Sequence, residues 1–291
     1  MAKFFTIIAC IAFMVMAFLN PSDFIVNAKN GMSLFAFNVL PILFPFFFVT
    51  GLLVELDLFN HKNLRRPGIV ILSFLAGSPT SARMISQLYT RGQITRQTAM
   101  QTATYTSTAS PIFIIATIGI ALYGDVRLGA LIFLSHVAGA IFNGITWSNT
   151  PSFASQMPPL SKRGELGTQE IPLSCSSIPD AIAKSLHSSI QNILAVGGLI
   201  VIFFIASAAL PLPIAAILEM TTGVFRAKSA IDGIWRVIIA CAIVSFGGLC
   251  VAMQNFVFFR TFQMPAWYYF GYKITHTIFA VVILVILLIL F

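Results

Sequence analysis

Four short polar runs interrupt an otherwise apolar chain. Gly77-Ser78-Pro79-Thr80-Ser81-Ala82-Arg83 gathers three hydroxyls and a guanidinium around a glycine and a proline. Thr106-Ser107-Thr108-Ala109-Ser110-Pro111 sets four hydroxyls ahead of a second proline. Glu219-Met220-Thr221-Thr222-Gly223 offers an acid with two hydroxyls, and Ser245-Phe246-Gly247-Gly248 a hydroxyl beside a glycine pair. Such groups hold a polar solute without breaking bonds in it. Glycine and proline interrupt helices and release main-chain donors and acceptors, which inside a membrane are tolerated only against protein or a wet cavity.

Arg83 presents a planar fork of donors that suits a carboxylate and stays charged at any accessible pH. Its alternative is a hairpin end whose side chain reaches the cytoplasmic interface. Glu219 is the only acid in a long apolar region. It reads as a group that couples transport to a proton or cation, as the counter-charge of Arg83 in an empty site, or as a polar residue near the outer interface. Thr98, Thr102 and Thr106 fall four apart, one stripe of a helix. Residues 98–104 read as helix packing, and the disrupted stretch 106–110 as the site. His136 and His276 have no second ligand type at metal spacing and read as hydrogen-bonded packing residues. No metal-binding helix motif, nucleophile elbow with triad partners or phosphate-cradling glycine loop is present, so neither an enzyme nor a cofactor or metal is expected.

These runs need a membrane-embedded scaffold. Of the 291 residues, 58% are hydrophobic and 9% charged, where a soluble domain carries about 25% charged residues to wet its surface. The mean hydropathy is +0.92. The net charge of +8 is spread as single cations between apolar blocks, not as a basic stripe, so a lipid bilayer is the expected partner and nucleic acid is not. Cys10, Cys175, Cys241 and Cys250 form no CxxC pair. Apolar intervals bounded by charges supply several spans of the roughly 20 residues that a crossing helix needs. Phe4–Leu19 reads as an uncleaved first span, since no small-x-small site follows and Asn20-Pro21 reads as a turn.

Gly68–Ala76 is too short to cross, reaching about half way at ~1.5 Å per residue, and it runs into the first polar run. Residues 68–90 therefore read as a re-entrant hairpin, and residues 211–225, after Pro211 and Pro213, as a second one. The expected fold is an all-α polytopic membrane protein. Residues 1–30 form a first span and loop, and 31–147 a first repeat of long helix, hairpin, broken helix and full span. Residues 148–185 form a cytoplasmic linker, and 186–291 an inverted second repeat. Paired discontinuous segments in inverted halves point to a transporter site near the midplane. With the amino terminus cytoplasmic most cations fall inside, but Arg226, Lys228 and Arg236 fall outside, against the charge bias.

The first run, then Gly92-Gln93-Ile94-Thr95-Arg96 and Ser107 to Ile114, resembles the first half of the YlbJ/SpoVV sporulation membrane proteins. Gly198 to Phe203, Leu218 to Gly223 and Ser245 to Gln254 continue the resemblance, which spans about residues 34–290. The chain departs from that family at the first tip, where Ser78 replaces an aromatic residue, Ser81 a glycine and Arg83 a lysine. The family carries the nucleoside-recognition or Gate domain and is similar in architecture to concentrative nucleoside transporters. The resemblance implies two re-entrant hairpins and two broken helices around a substrate, in a bacterial cell membrane such as the outer forespore membrane. It also implies a small anionic substrate, dipicolinate, during sporulation. On that reading Gly77, Ser78, Pro79, Thr80, Ser81, Arg83, Ser107, Thr108 and Ser110 bind it from the first half. Glu219, Thr221, Thr222, Gly223, Ser245, Gly247, Gly248 and Gln254 bind it from the second, Gln254 being included because the resemblance covers it. A nucleoside or nucleobase carrier, and a non-transporting scaffold that docks a partner through the linker, are the alternatives.

Overall fold

The computed structural model describes residues 2–56, 62–148, 177–208 and 210–290, and among them every regular element is helical. Helix α1 (Ala2–Leu19) stops at Asn20, and Pro21 opens α2 (Pro21–Ser33), where a missing N–H costs nothing. The chain continues through a π-helical stretch (Leu34–Val39) into α3 (Leu40–Glu55). The loop expected within residues 20–30 is therefore helical. Its polar residues fit a helix start, with Asp23 in the first turn facing the positive end of the dipole.

Two helix pairs with tight turns follow the order read from the sequence. The first is α4 (Lys62–Ala76) with α5 (Thr80–Thr90), leading into α6 (Arg96–Thr106). A nonhelical break separates α6 from a π-helical stretch (Ile112–Tyr123), after which α7 (Val126–Ser148) runs unbroken. Helix α8 (Ile178–Ala208) precedes the second pair, α9 (Leu212–Leu218) with α10 (Met220–Ala230). Helices α11 (Trp235–Phe246) and α12 (Gly248–Phe259) meet at a kink, and α13 (Ala266–Leu290) closes the bundle. Residues 178–185, expected in the linker, are instead the first turns of α8. Ser177 Oγ accepts from Asp180 N at 3.3 Å and donates to the Asp180 carboxylate at 2.7 Å, the reciprocal start signal of a helix. Residues 149–176, which carry the rest of the expected linker, lie outside the described residues.

Among the described residues, five helices are long and apolar enough to cross a bilayer: Pro21–Glu55, Val126–Ser148, Ile178–Ala208, Trp235–Phe262 and Ala266–Leu290. The chain is a multi-pass membrane protein. Lipid gives helices little hydrophobic reason to associate, so close packing of small residues has to do it. Gly119 and Gly129 meet backbone to backbone, with 2.7 Å from an added Gly119 Cβ to Gly129 Cα, and a Cβ on Gly139 would lie 2.7 Å from Ala280 N. Helices α2, α3 and α8 run antiparallel: Ser185 Oγ donates to Phe48 O at 2.7 Å, Gly197 packs on the Phe35 ring and Gly31 on Phe204.

The two ends of the bundle are tied by cations at helix termini. At one, Arg91 reaches Val54 O at 3.0 Å and Glu55 at 2.5 Å, while Arg96 reaches Phe262 O at 2.8 Å and Gln263 O at 3.1 Å. At the other, Lys228 donates to Leu122 O, Arg226 donates to Leu210 O at 2.7 Å, and the Arg236 guanidinium lies 5.7 Å from the Tyr123 ring centroid. The three cations that offend the charge bias are thus each engaged at a helix end.

Candidate functional site

Helix α4 ends where Gly77 turns to φ +69°, a left-handed conformation that side chains disfavour. The turn is held from outside. Ser78 N donates to Thr108 O at 2.6 Å, and a Cβ on Gly77 would lie 2.6 Å from Ser110 N. The first tip is therefore locked to the first break. That break forms because α6 ends at Thr106 and Pro111, which lacks an N–H, starts the next stretch.

The second tip holds itself. Glu219 sits in extended backbone between α9 and α10, and its two oxygens accept from Thr221 N at 2.9 Å and Thr222 N at 2.6 Å. The second break lies at Gly247 (φ +83°) and Gly248 (φ +72°). A Cβ on Gly248 would lie 3.1 Å from Ile217 O and 3.4 Å from Met220 N, so tip two lies against break two.

Both tips, the first break and the helix that follows the second break line one cavity of about 100 Å³. Ser78 and Pro79 come from tip one, Ala109 and Ser110 from break one, Glu219 to Thr221 from tip two, and Cys250 with Gln254 from the helix after break two. Asn38, on the π-helical stretch between α2 and α3, closes the polar part among aliphatic side chains. The volume holds several waters at roughly 10–15 Å³ each, or one small ring. Among the described residues no lysine or arginine lines it, and Glu219, 4% exposed, is its one charged group.

Of the residues predicted from sequence, Ser78, Pro79, Ser110, Glu219, Thr221 and Gln254 share this cavity. The others stand behind it. Thr80, Ser81 and Thr108 are buried, with hydroxyls that have no hydrogen-bond partner among the described residues. Ser107 Oγ turns back onto Ala103 O at 2.8 Å, Thr222 Oγ1 accepts from Ser207, and Gly223 packs on Ala216. Ser245 bonds to His136, and Gly77, Gly247 and Gly248 act through their backbones.

Arg83 departs most from expectation. It is 1% exposed and does not line the cavity. From its place in the first turn of α5 the side chain runs toward α3 and α8. Its guanidinium donates to Phe47 O and to Ser188 Oγ at 3.0 Å and lies 5.1 Å from the Phe47 ring centroid. It neither reaches an interface nor pairs with Glu219, and it fastens the first hairpin to the scaffold.

Sequence reading passed over three features. Asn38 is a lone polar residue in an apolar run, and nothing local announces the π-helical stretch that aims it at the cavity. Lys273 is not singled out by the sequence reading. It lies inside α13, 2% exposed, and donates to Ser107 O at 3.0 Å. A lysine three residues before His276 in an apolar helix is the available signal, because a buried ionisable group in a membrane is rarely idle. The third feature, the partners of His136, depends on tertiary contacts. Among the described residues, no cluster of three or more His, Cys, Asp or Glu is arranged to hold a metal.

No protein-family model matches the sequence, and no solved structure matches it. The sporulation integral membrane protein YlbJ of Bacillus subtilis (strain 168) is 25% identical over 199 residues, 60% of this chain and 49% of that protein. The chain is thus similar, at a distant level, to that sporulation membrane protein. It spans about half the length of the curated relative it matches.

Proposed function

We propose that the chain is a membrane carrier in which two inverted halves enclose a small solute at the cavity between tips and breaks. The observation that carries this reading is that both tips, the first break and the helix that starts at the second break line one cavity. An inverted repeat accounts for the antiparallel packing of α2–α3 on α8. It also accounts for the two hairpins being tied at opposite ends, through Arg91 and Lys228 respectively. The hairpins on this reading are re-entrant, and the amino terminus is cytoplasmic.

Charge decides between solutes. The first helical positions of α5 and α12 carry no side-chain cap, and a helix N-terminus presents roughly half an elementary positive charge. Together with the N-terminus of α10, which Glu219 caps, these two termini offset the Glu219 carboxylate and leave the cavity with about half a positive charge. A dianion such as dipicolinate would need a compensating charge of about +2 that the wall lacks. An uncharged or singly charged ring with hydrogen-bonding edges fits better, which favours a nucleobase or nucleoside over dipicolinate. The relative's sporulation name is what supports dipicolinate. Purified protein in vesicles should take up labelled uridine and be competed weakly by dipicolinate. Dipicolinate uptake that uridine does not inhibit would reverse the ranking, and uptake of neither under any imposed ion gradient would sink the carrier reading.

A further inference from the structure

A second polar cluster lies behind the cavity, on α7 and α13, and it grips both breaks at once. His136 Nε2 accepts from Ala109 N at 3.0 Å, inside break one, while His136 Nδ1 lies 2.9 Å from Ser245 Oγ, at the end of α11 before break two. His276 Nε2 donates to His136 O at 2.9 Å, and the two rings are 4.7 Å apart. Lys273 donates to Ser107 O at 3.0 Å, and its Cε is 3.9 Å from where a Cβ on Gly247 would stand. Tyr272 shares a hydrogen bond with Ser107 Oγ at 3.0 Å. His136, His276 and Lys273 are buried, at 0%, 1% and 2% exposure.

The geometry fixes the ring's proton. An imidazole nitrogen that accepts from a backbone N–H is unprotonated, so His136 is neutral with its hydrogen on Nδ1, donated to Ser245. Adding a proton at Nε2 would set two donors against each other, and the bond to Ala109 would break. The titratable groups facing the ring are Lys273, His276 and Tyr272 from α13 and the Cys241 thiol beside Ser245 on α11; α6 and the π-helical stretch after the break present backbone and Ser107. None is a carboxylate, so a proton on His136 finds no counter-charge while the breaks are closed. Protonation and the closed arrangement thus exclude each other, and reciprocity requires that whatever opens the breaks raises proton affinity.

We infer that His136, backed by Lys273 and His276, is the proton-binding site that couples the state of the two breaks to pH. The inference rests on the carrier reading for its purpose, but not for its geometry. His136→Gln is the informative variant, because an amide can still accept from Ala109 and donate to Ser245 yet takes up no proton. In nanodiscs with 15N-histidine, acidification from about pH 8 to about pH 4 should convert wild-type His136 from the neutral Nδ1–H form to imidazolium as the breaks open. The Ala109 amide resonance should shift with it, and both changes should vanish in His136→Gln. In vesicles a gradient of one pH unit, coupled to one proton, sustains up to about tenfold accumulation of uridine or dipicolinate. In His136→Gln accumulation should fall to equilibration while exchange of solute across the membrane persists. A ring that stays neutral over the whole range, or a variant that accumulates solute as well as wild type, overturns the inference. Titration of His136 with the Ala109 shift, without uptake of either solute, would uphold the proton site and count against the carrier reading instead.

Discussion

The two tips occupy matching places in the element order but are held by different means. Tip one is held by its neighbour: Ser78 N bonds to Thr108 O in break one, and Gly77 presses on Ser110. Tip two is capped by its own Glu219, which satisfies the first amides of α10. The second arms differ as well. Arg83 bolts α5 to Phe47 O and Ser188 at depth, whereas Arg226 ties α10 to Leu210 O at the bundle end. A tip that carries its own cap can shift without losing its hydrogen bonds, and one bonded to another segment cannot. The second hairpin is therefore the better candidate for a moving gate, with the first as part of the frame.

The largest effect should come from crowding the locked tip. Gly77→Val adds a branched side chain at φ +69°, where an added Cβ already lies 2.6 Å from backbone. Left-handed strain together with overpacking should cost about 3–5 kcal/mol, read as a lowered midpoint of thermal unfolding in detergent. A tolerated valine would show that tip one is free, and the contrast between hairpins would fail.

Next in size is Arg83→Ala. It empties a buried site and removes donors from Phe47 O and Ser188, which should cost about 2–4 kcal/mol of stability. Solute affinity measured on the folded fraction should stay near wild type, because the guanidinium does not line the cavity. A selective loss of affinity with unchanged unfolding would return Arg83 to the binding wall.

Arg83 also shows where sequence reading stops. Its hairpin was legible, because a glycine and a proline after a half-length apolar run leave a helix no way to continue. The breaks at Pro111 and Gly247-Gly248, and the long helices α7 and α13, were legible for similar local reasons. The direction of a side chain was not. Whether residue 83 faces the tip or the scaffold is set by where α5 begins, a matter of one residue, and by the partners on α3 and α8, more than 30 and 100 positions away. The same limit hid His136, whose role depends on Ala109 and Ser245 converging on one ring. Lys273 was hidden by the rule that found the spans, since treating every charge as a boundary cannot reveal one that is buried.

Glu219→Ala tests the self-capped tip. Loss of the cap should cost about 1–2 kcal/mol, less than Gly77→Val or Arg83→Ala. It should alter solute binding more than Arg83→Ala does, because the carboxylate lines the cavity. Removing its charge should also let dipicolinate compete better against uridine in the binding assay. No change in that competition would mean that the carboxylate is spent on the cap and does not set ligand charge.

Ser78→Ala should have the smallest effect on folding, and for that reason it discriminates best. Tip one is anchored through the backbone N–H of residue 78, which alanine keeps, while the hydroxyl makes only a long contact of 3.5 Å from Asn255 Nδ2. Stability should therefore move by less than about 0.5 kcal/mol. The hydroxyl lines the cavity, so a solute that bonds to it should lose about three- to tenfold in affinity, the net worth of one neutral hydrogen bond. If unfolding shifts instead and binding does not, tip one is held by its side chain as tip two is, and the difference between the two hairpins disappears.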